Sequence, residues 1–97
     1  MLVEIIMTFF ERISQKIAAA FPDAIVYLED QSARHAGHAG AAPGGETHFL
    51  LEMTSESFEG VSRVERQRLV HAVLKEELAE RVHALSLSLK TPAEQST

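Results

Sequence analysis

At 97 residues, with 45% hydrophobic and 24% charged residues, the chain has the size and composition of a single globular domain. It contains no cysteine, which excludes a disulfide framework and a metal site built from its own thiolates. Its formal net charge of -5 argues against strong non-specific binding to a polyanion, while a local basic patch is still compatible with it.

The N-terminal residues 1–7 are apolar, but they are few, are interrupted by Glu4 and lack a basic leader. No window approaches the roughly 18 apolar residues of a spanning helix. We therefore expect no signal peptide, no membrane segment and a cytoplasmic location, with residues 1–7 as an extension before the folded domain.

The first element is predicted to be a helix that begins after Thr8. Thr8 and Glu11 have the spacing of a capping box, and Pro22 ends the element. Its apolar positions recur at helical spacing and are expected to face the core: Phe10, Ile13, Ile17, Ala20 and Phe21.

Two strands and a long connection follow. Residues 24–30 are rich in branched and aromatic side chains, and residues 47–55 place Phe49, Leu51 and Met53 on one face of a second strand. Between them lies a segment rich in alanine, glycine and proline over residues 36–45. Connections of that length are usually functional or disordered.

The C-terminal half predicts one long helix and a last strand. Ser62 and Glu65 repeat the capping-box spacing and open a helix to about Glu80. Strict alternation then places Leu85, Leu87 and Leu89 on one face of a strand, and His83 shares their parity where that strand begins. Thr91-Pro92 ends the strand, and residues 93–97 are expected to form a flexible tail.

The predicted order is helix, strand, strand, helix, strand. The first two strands are expected to pair antiparallel, and the helical crossover favours a parallel last pair. Three strands with helices on one face make an α+β fold, a two-layer sandwich with a three-stranded mixed sheet spanning residues 8–92.

Spaced motifs along this chain resemble the BolA family. They are Arg34-His35, Glu46-Thr47-His48-Phe49, Phe58-Glu59-Gly60-Val61-Ser62, Arg66-Gln67-Arg68-Leu69-Val70, and Val82-His83-Ala84-Leu85-Ser86 through Thr91-Pro92. The resemblance runs from about Thr8 to Pro92. Any one motif alone is weak, whereas the spaced set is specific.

The resemblance implies a class II KH-like fold and partnership with monothiol glutaredoxins. In such complexes a [2Fe-2S] cluster is shared, with sulfur ligands from the glutaredoxin cysteine and glutathione and a histidine from the BolA-like protein. His83 matches the family ligand, and His35 best matches the loop ligand, with His38 as the alternate. A departure from the family pattern is Gln67, where relatives often have histidine.

The same residues also have other interpretations. A histidine at the start of a core strand is often a structural residue. Arg63, Arg66 and Arg68 would in most proteins form a solvated face or intramolecular ion pairs. The alternative is that they bind DNA, since some family members are transcriptional regulators. The GxxG clamp of KH modules has no counterpart between helices here. A scaffold that binds glutaredoxin without touching the cluster is a third possibility. We expect no enzyme activity, and a monomer or weak homodimer in isolation.

Overall fold

The computed structural model describes residues 7–35 and 45–96, which form four α-helices and three strands, with two short 3-10 turns. The helices are α1 (Phe9–Ala20), α2 (Arg63–Val73), α3 (Lys75–Glu80) and α4 (Pro92–Gln95), and the strands are β1 (Ile25–Asp30), β2 (His48–Thr54) and β3 (Ala84–Lys90). The 3-10 turns span Ser32–His35 and Glu56–Phe58. Within these described ranges, no helix has the length and apolar character needed to cross a membrane.

The strands form one mixed sheet in the order β1-β2-β3. β1 pairs antiparallel with β2, with Leu28 opposite Leu51, and β2 pairs parallel with β3, with Leu51 opposite Leu87. This confirms the predicted α+β order and the mixed three-stranded sheet. A helical crossover between β2 and β3 is what a parallel pair requires.

The core lies on one face of the sheet, against α1 and α2. Phe49, Leu51 and Met53 of β2 are almost fully buried there, as the alternation predicts. Ile13 and Ile17 of α1, Val70 of α2 and Leu74 between α2 and α3 also belong to the cluster. The three leucines of β3 are partly buried against it. The opposite face of β2 carries the exposed Glu52.

Both predicted caps are present at the helix starts. Thr8 and Glu11 form the reciprocal capping box of α1, and the Ser62 hydroxyl accepts a hydrogen bond from the Glu65 N–H at the start of α2. Each cap satisfies an N–H group that the first helical turn leaves without an intrahelical partner.

The predicted long helix is two helices in the structure. The backbone leaves helical geometry at Leu74, where φ is -102° and ψ is 18°, and α3 begins at the next residue. In α3 the carboxylate of Glu77 is fully buried and binds Arg12 and Lys16 of α1. This segment is therefore held by ion pairs with α1 as well as by its apolar residues.

The C-terminal segment also differs from the expected flexible tail, since residues 92–95 form α4. Thr91 and Glu94 make a second reciprocal capping box, with the Thr91 N–H donating to the Glu94 carboxylate at 2.8 Å. Arg66 binds the same carboxylate, which ties α4 to α2.

Candidate functional site

His83 lies immediately before β3 with its side chain exposed. Its backbone N–H donates to the Thr47 carbonyl at 2.8 Å, and the Ala84 N–H donates to the same oxygen at 3.1 Å. The preceding Val82 is buried, and its N–H donates to the Glu77 carbonyl at 3.0 Å. The backbone at His83 is thus fixed on both sides while the imidazole is accessible to a partner.

Thr47, which receives these bonds, is itself fully buried. Its own N–H donates to the Ser32 hydroxyl oxygen at 2.8 Å, and its hydroxyl lies 3.3 Å from that oxygen. The His48 N–H also donates to Ser32, at 3.2 Å. One serine hydroxyl therefore holds the backbone where β2 begins.

Asp30 joins the two ends of the connection between β1 and β2. One carboxylate oxygen accepts from the Ser32 N–H at 2.9 Å, and the other accepts from the Glu46 N–H at 3.1 Å. Desolvation by burial acts to raise the pKa of Asp30, but hydrogen bonds from Ser32 and Glu46 outweigh it and lower that pKa below its ordinary value. Asp30 is therefore an ionised acceptor at neutral pH.

His48 and Arg81 also lie near the start of β2 and the backbone of His83. The Nδ1 atom of His48 lies 2.8 Å from the Thr47 hydroxyl, and His48 pairs in register with Ala84 beside His83. Arg81 donates from Nε and Nη2 to the Gly45 carbonyl, at 3.0 and 2.8 Å. The end of the loop is thereby attached to the segment that carries His83.

The loop histidines can be placed only in part. The structure describes the backbone of His35, as the last residue of the 3-10 turn that begins at Ser32. The side chain of His35 and the whole of His38 lie outside the described residues. The predicted juxtaposition of His83 with a loop histidine is therefore still a prediction.

The described residues alone do not provide a complete set of metal ligands. Among the described residues, no group of three or more His, Cys, Asp or Glu side chains is arranged to hold a metal ion. One exposed imidazole on a fixed backbone suits a site completed by ligands from elsewhere, and it does not suit a self-contained metal centre.

Arg66 is placed differently from a residue of a basic surface. It is only 6% exposed, and its guanidinium donates to the carbonyls of Val61 at 2.8 Å and Leu89 at 3.1 Å and to the Glu94 carboxylate at 2.6 Å. Three of the five guanidinium N–H groups can therefore be accounted for by bonds within the fold, and burial of the side chain leaves little access for phosphate groups.

The other two arginines of the predicted basic surface, Arg63 and Arg68, are exposed on α2. Arg68 forms an ion pair with Glu65 one turn earlier. The expected three-arginine surface therefore reduces to two side chains, of which one already has an acidic neighbour.

Sequence reasoning did not identify Ser32 and Thr47 as part of the site. Hydrophobic periodicity reports which positions are apolar, so two buried hydroxyl residues separated by 15 positions leave no signal in it. The partner of Arg66 did leave a signal, since Thr91 and Glu94 have capping-box spacing.

The chain matches one protein family over most of its length. The model of the family described as BolA-like protein matches residues 17–94, which is most of the chain. This chain belongs to the BolA family.

Individual BolA-family relatives agree with that assignment. BolA-like protein 1 of Bos taurus is 44% identical over 82 residues, covering 84% of this chain and 58% of the bovine protein. The Escherichia coli protein named DNA-binding transcriptional regulator BolA is 38% identical over 81 residues, covering 84% of this chain and 73% of that protein. The chain spans less than two thirds of the length of several curated relatives that it matches, the bovine protein among them.

Solved BolA structures share the fold. BolA1 from Arabidopsis thaliana has a TM-score of 0.80 at 40% identity, covering 93% of this chain and 98% of that chain. The solution structure of yeast Fra2 has a TM-score of 0.59 at 28% identity, covering 86% of this chain and 78% of that chain.

Proposed function

We propose that this BolA-family chain is a non-enzymatic adaptor that binds a monothiol glutaredoxin and shares a [2Fe-2S] cluster with it. His83 is the first ligand, and a loop histidine is the second, with His35 preferred and His38 as the alternate. The biological role would be iron–sulfur trafficking, or signalling of iron status and stress.

The observation that carries this proposal is the combination of an exposed imidazole and a fixed backbone at His83. A ligand that must reach a cluster held by another protein has to be accessible. The backbone N–H groups of Val82 and Ala84, on either side of His83, are hydrogen-bonded to Glu77 and Thr47, which are buried. The backbone of His83 therefore needs little further ordering when its imidazole binds the cluster. A structural histidine at the edge of the core would instead be buried.

The composition supports a shared site. The chain has no cysteine, so it can supply imidazole but not the thiolates that hold conventional clusters. The glutaredoxin cysteine and glutathione would supply the sulfur. Imidazole coordinates through a neutral ring nitrogen, so the shared complex should weaken in acid.

The test is to mix the chain with a monothiol glutaredoxin loaded with its cluster and glutathione, and to follow the visible circular dichroism. Wild type is expected to change the spectrum, His83→Ala should lose that change, and His35→Ala and His38→Ala should differ according to which loop histidine binds. His71→Ala is the matched control, because His71 is exposed on α2. A spectrum unchanged by wild type contradicts the proposal, and an equal response from His83→Ala removes His83 from the site and leaves only docking.

DNA binding is the second candidate, because the Escherichia coli relative is named as a DNA-binding transcriptional regulator. The exposed Arg63 and Arg68 of α2 are the residues that would contact phosphate. Binding should then fall steeply with salt and weaken in Arg63→Gln and Arg68→Gln. A DNA affinity that does not change with salt concentration, or that is the same in these two variants as in wild type, contradicts this candidate.

A further inference from the structure

The peptide unit between Thr47 and His48 connects two parts of the candidate site. Its carbonyl oxygen accepts from the N–H groups of His83 and Ala84, and its own N–H donates to the Ser32 hydroxyl. A peptide unit is planar, so its carbonyl and N–H cannot turn independently. By fixing the His48 N–H, Ser32 therefore also fixes the direction of the Thr47 carbonyl that accepts the hydrogen bond from His83.

Ser32 also begins the segment that leads to the loop histidine. It is 8% exposed and opens the 3-10 turn that ends at His35. Its N–H is held by Asp30 at 2.9 Å, so the serine is fixed through its backbone as well as its hydroxyl. A single buried side chain thus contacts both the base of the loop and the peptide unit to which His83 is hydrogen-bonded.

We propose that Ser32 is a positioning residue for the shared cluster. Its hydroxyl, supported by Thr47, fixes the separation between the His83 backbone and the base of the loop that carries His35. Ser32 does not touch the cluster and acts only through the peptide unit and the 3-10 turn. This inference rests on the proposed function, because it presupposes that His83 is a ligand.

The expected effect follows from the bonds that Ser32→Ala removes. The N–H groups of Thr47 and His48 both lose their acceptor, and buried donors without partners drive local rearrangement. His83 would then be ordered on cluster binding instead of before it. We expect about a fivefold higher concentration of Ser32→Ala than of wild type to reach half of the spectral change.

A matched control lies at the other end of β2. Ser55 is 1% exposed, its hydroxyl accepts from the Ser57 N–H at 3.0 Å and donates to Asp23 at 3.0 Å, and it follows β2 as Thr47 precedes it. Ser55→Ala therefore removes a buried, hydrogen-bonded hydroxyl like that of Ser32, but at the end of β2 that lies away from His83. It should lower stability without changing the cluster spectrum.

The experiment compares wild type, Ser32→Ala and Ser55→Ala in the glutaredoxin assay, with hydrogen exchange of the His83 amide measured on each protein alone. The inference is supported when Ser32→Ala shows the weakened spectral response and faster exchange at His83, and Ser55→Ala shows neither. Where Ser32→Ala fails to fold, Thr47→Val and its conservative rescue Thr47→Ser replace it. Val at this position removes the hydroxyl, and Ser restores it.

The contrary outcomes can be told apart. If wild type itself leaves the cluster spectrum unchanged, the proposed function fails and the positioning role fails with it. If wild type responds and Ser32→Ala responds equally, the proposed function stands and the positioning role is wrong. If Ser32→Ala and Ser55→Ala weaken the response equally, the effect is general stability, which also overturns the positioning role.

Discussion

Replacing Arg66 by methionine should destabilise the fold strongly, although Arg66 belongs to a basic sequence motif. Methionine keeps an apolar stem of similar length but lacks the guanidinium, which donates to the carbonyls of Val61 and Leu89 and to Glu94. Hydrogen bonds from a charged donor contribute roughly 1.5 kcal/mol each. Loss of the two main-chain bonds alone is therefore expected to lower the free energy of unfolding by about 3 kcal/mol.

The assay is urea unfolding followed by far-ultraviolet circular dichroism, with a thermal melt as a second measure. For a domain of this size, a loss of about 3 kcal/mol corresponds to a fall in the melting temperature of roughly 15 °C. Arg63→Met is the control, since Arg63 is exposed on the same helix and its substitution should change stability by about 0.5 kcal/mol or less.

An Arg66→Met protein no less stable than Arg63→Met would refute this reasoning, because the guanidinium bonds would then make no net contribution. The prediction also affects how DNA binding can be tested. A loss of DNA binding in an Arg66 variant would report unfolding as readily as a lost phosphate contact. Arg63 and Arg68 are therefore the informative positions.

Four further predictions concern other residues. The hydrogen bonds from Arg66 and from the Thr91 backbone lower the pKa of Glu94 to about 2, from 4.5, so Glu94 stabilises the fold fully above pH 4.5 and loses that contribution as the pH falls toward 2. The difference in free energy of unfolding between wild type and Glu94→Gln should therefore be largest above pH 4.5 and vanish near pH 2. Urea unfolding at a series of pH values between these limits measures it, and a difference independent of pH would contradict the prediction. Glu77→Gln should lower the free energy of unfolding by about 3 kcal/mol, because a fully buried carboxylate that binds two cations is replaced by an amide; a loss below about 1 kcal/mol in the same assay argues against a stabilising ion-pair network. Gly60→Ala should lower the free energy of unfolding by about 1 kcal/mol in urea unfolding. The φ angle there is 75° and an added Cβ meets no atom within 4 Å, so backbone strain is the only cost; an unchanged urea midpoint would show that the turn relaxes. His83→Ala should change stability by about 0.5 kcal/mol or less while losing the spectral response with glutaredoxin, and a markedly destabilised variant would instead indicate a structural histidine.

The sheet could be predicted from the sequence because its signals are local. Phe49, Leu51 and Met53 alternate with polar neighbours, which determines the face of β2, and the helix between β2 and β3 determines their parallel pairing. The break at Leu74 could not be predicted in the same way. The apolar spacing continues through that residue, and the buried Glu77 that follows it has partners more than 60 residues earlier.

The site was predictable only where a single strand carries it. His83 directly precedes the alternating residues of β3, so its place beside the strand's first residue could be predicted from where the alternation begins. Ser32 meets Thr47 across 15 residues, and Arg66 meets Glu94 across 28. Charge alone makes an arginine resemble a surface residue, and only the folded arrangement supplies the acceptors that allow its burial.

The short segment between α3 and β3 restricts where the length of this chain can vary. It contains only residues 81–83, and each backbone N–H is bonded, those of Arg81 and Val82 to the Glu77 carbonyl and that of His83 to Thr47. One inserted residue would advance the chain by about 3.3 Å, and these hydrogen bonds could not all form in their present register. Insertions and deletions should therefore be tolerated poorly here, even though the segment lies outside every helix and strand.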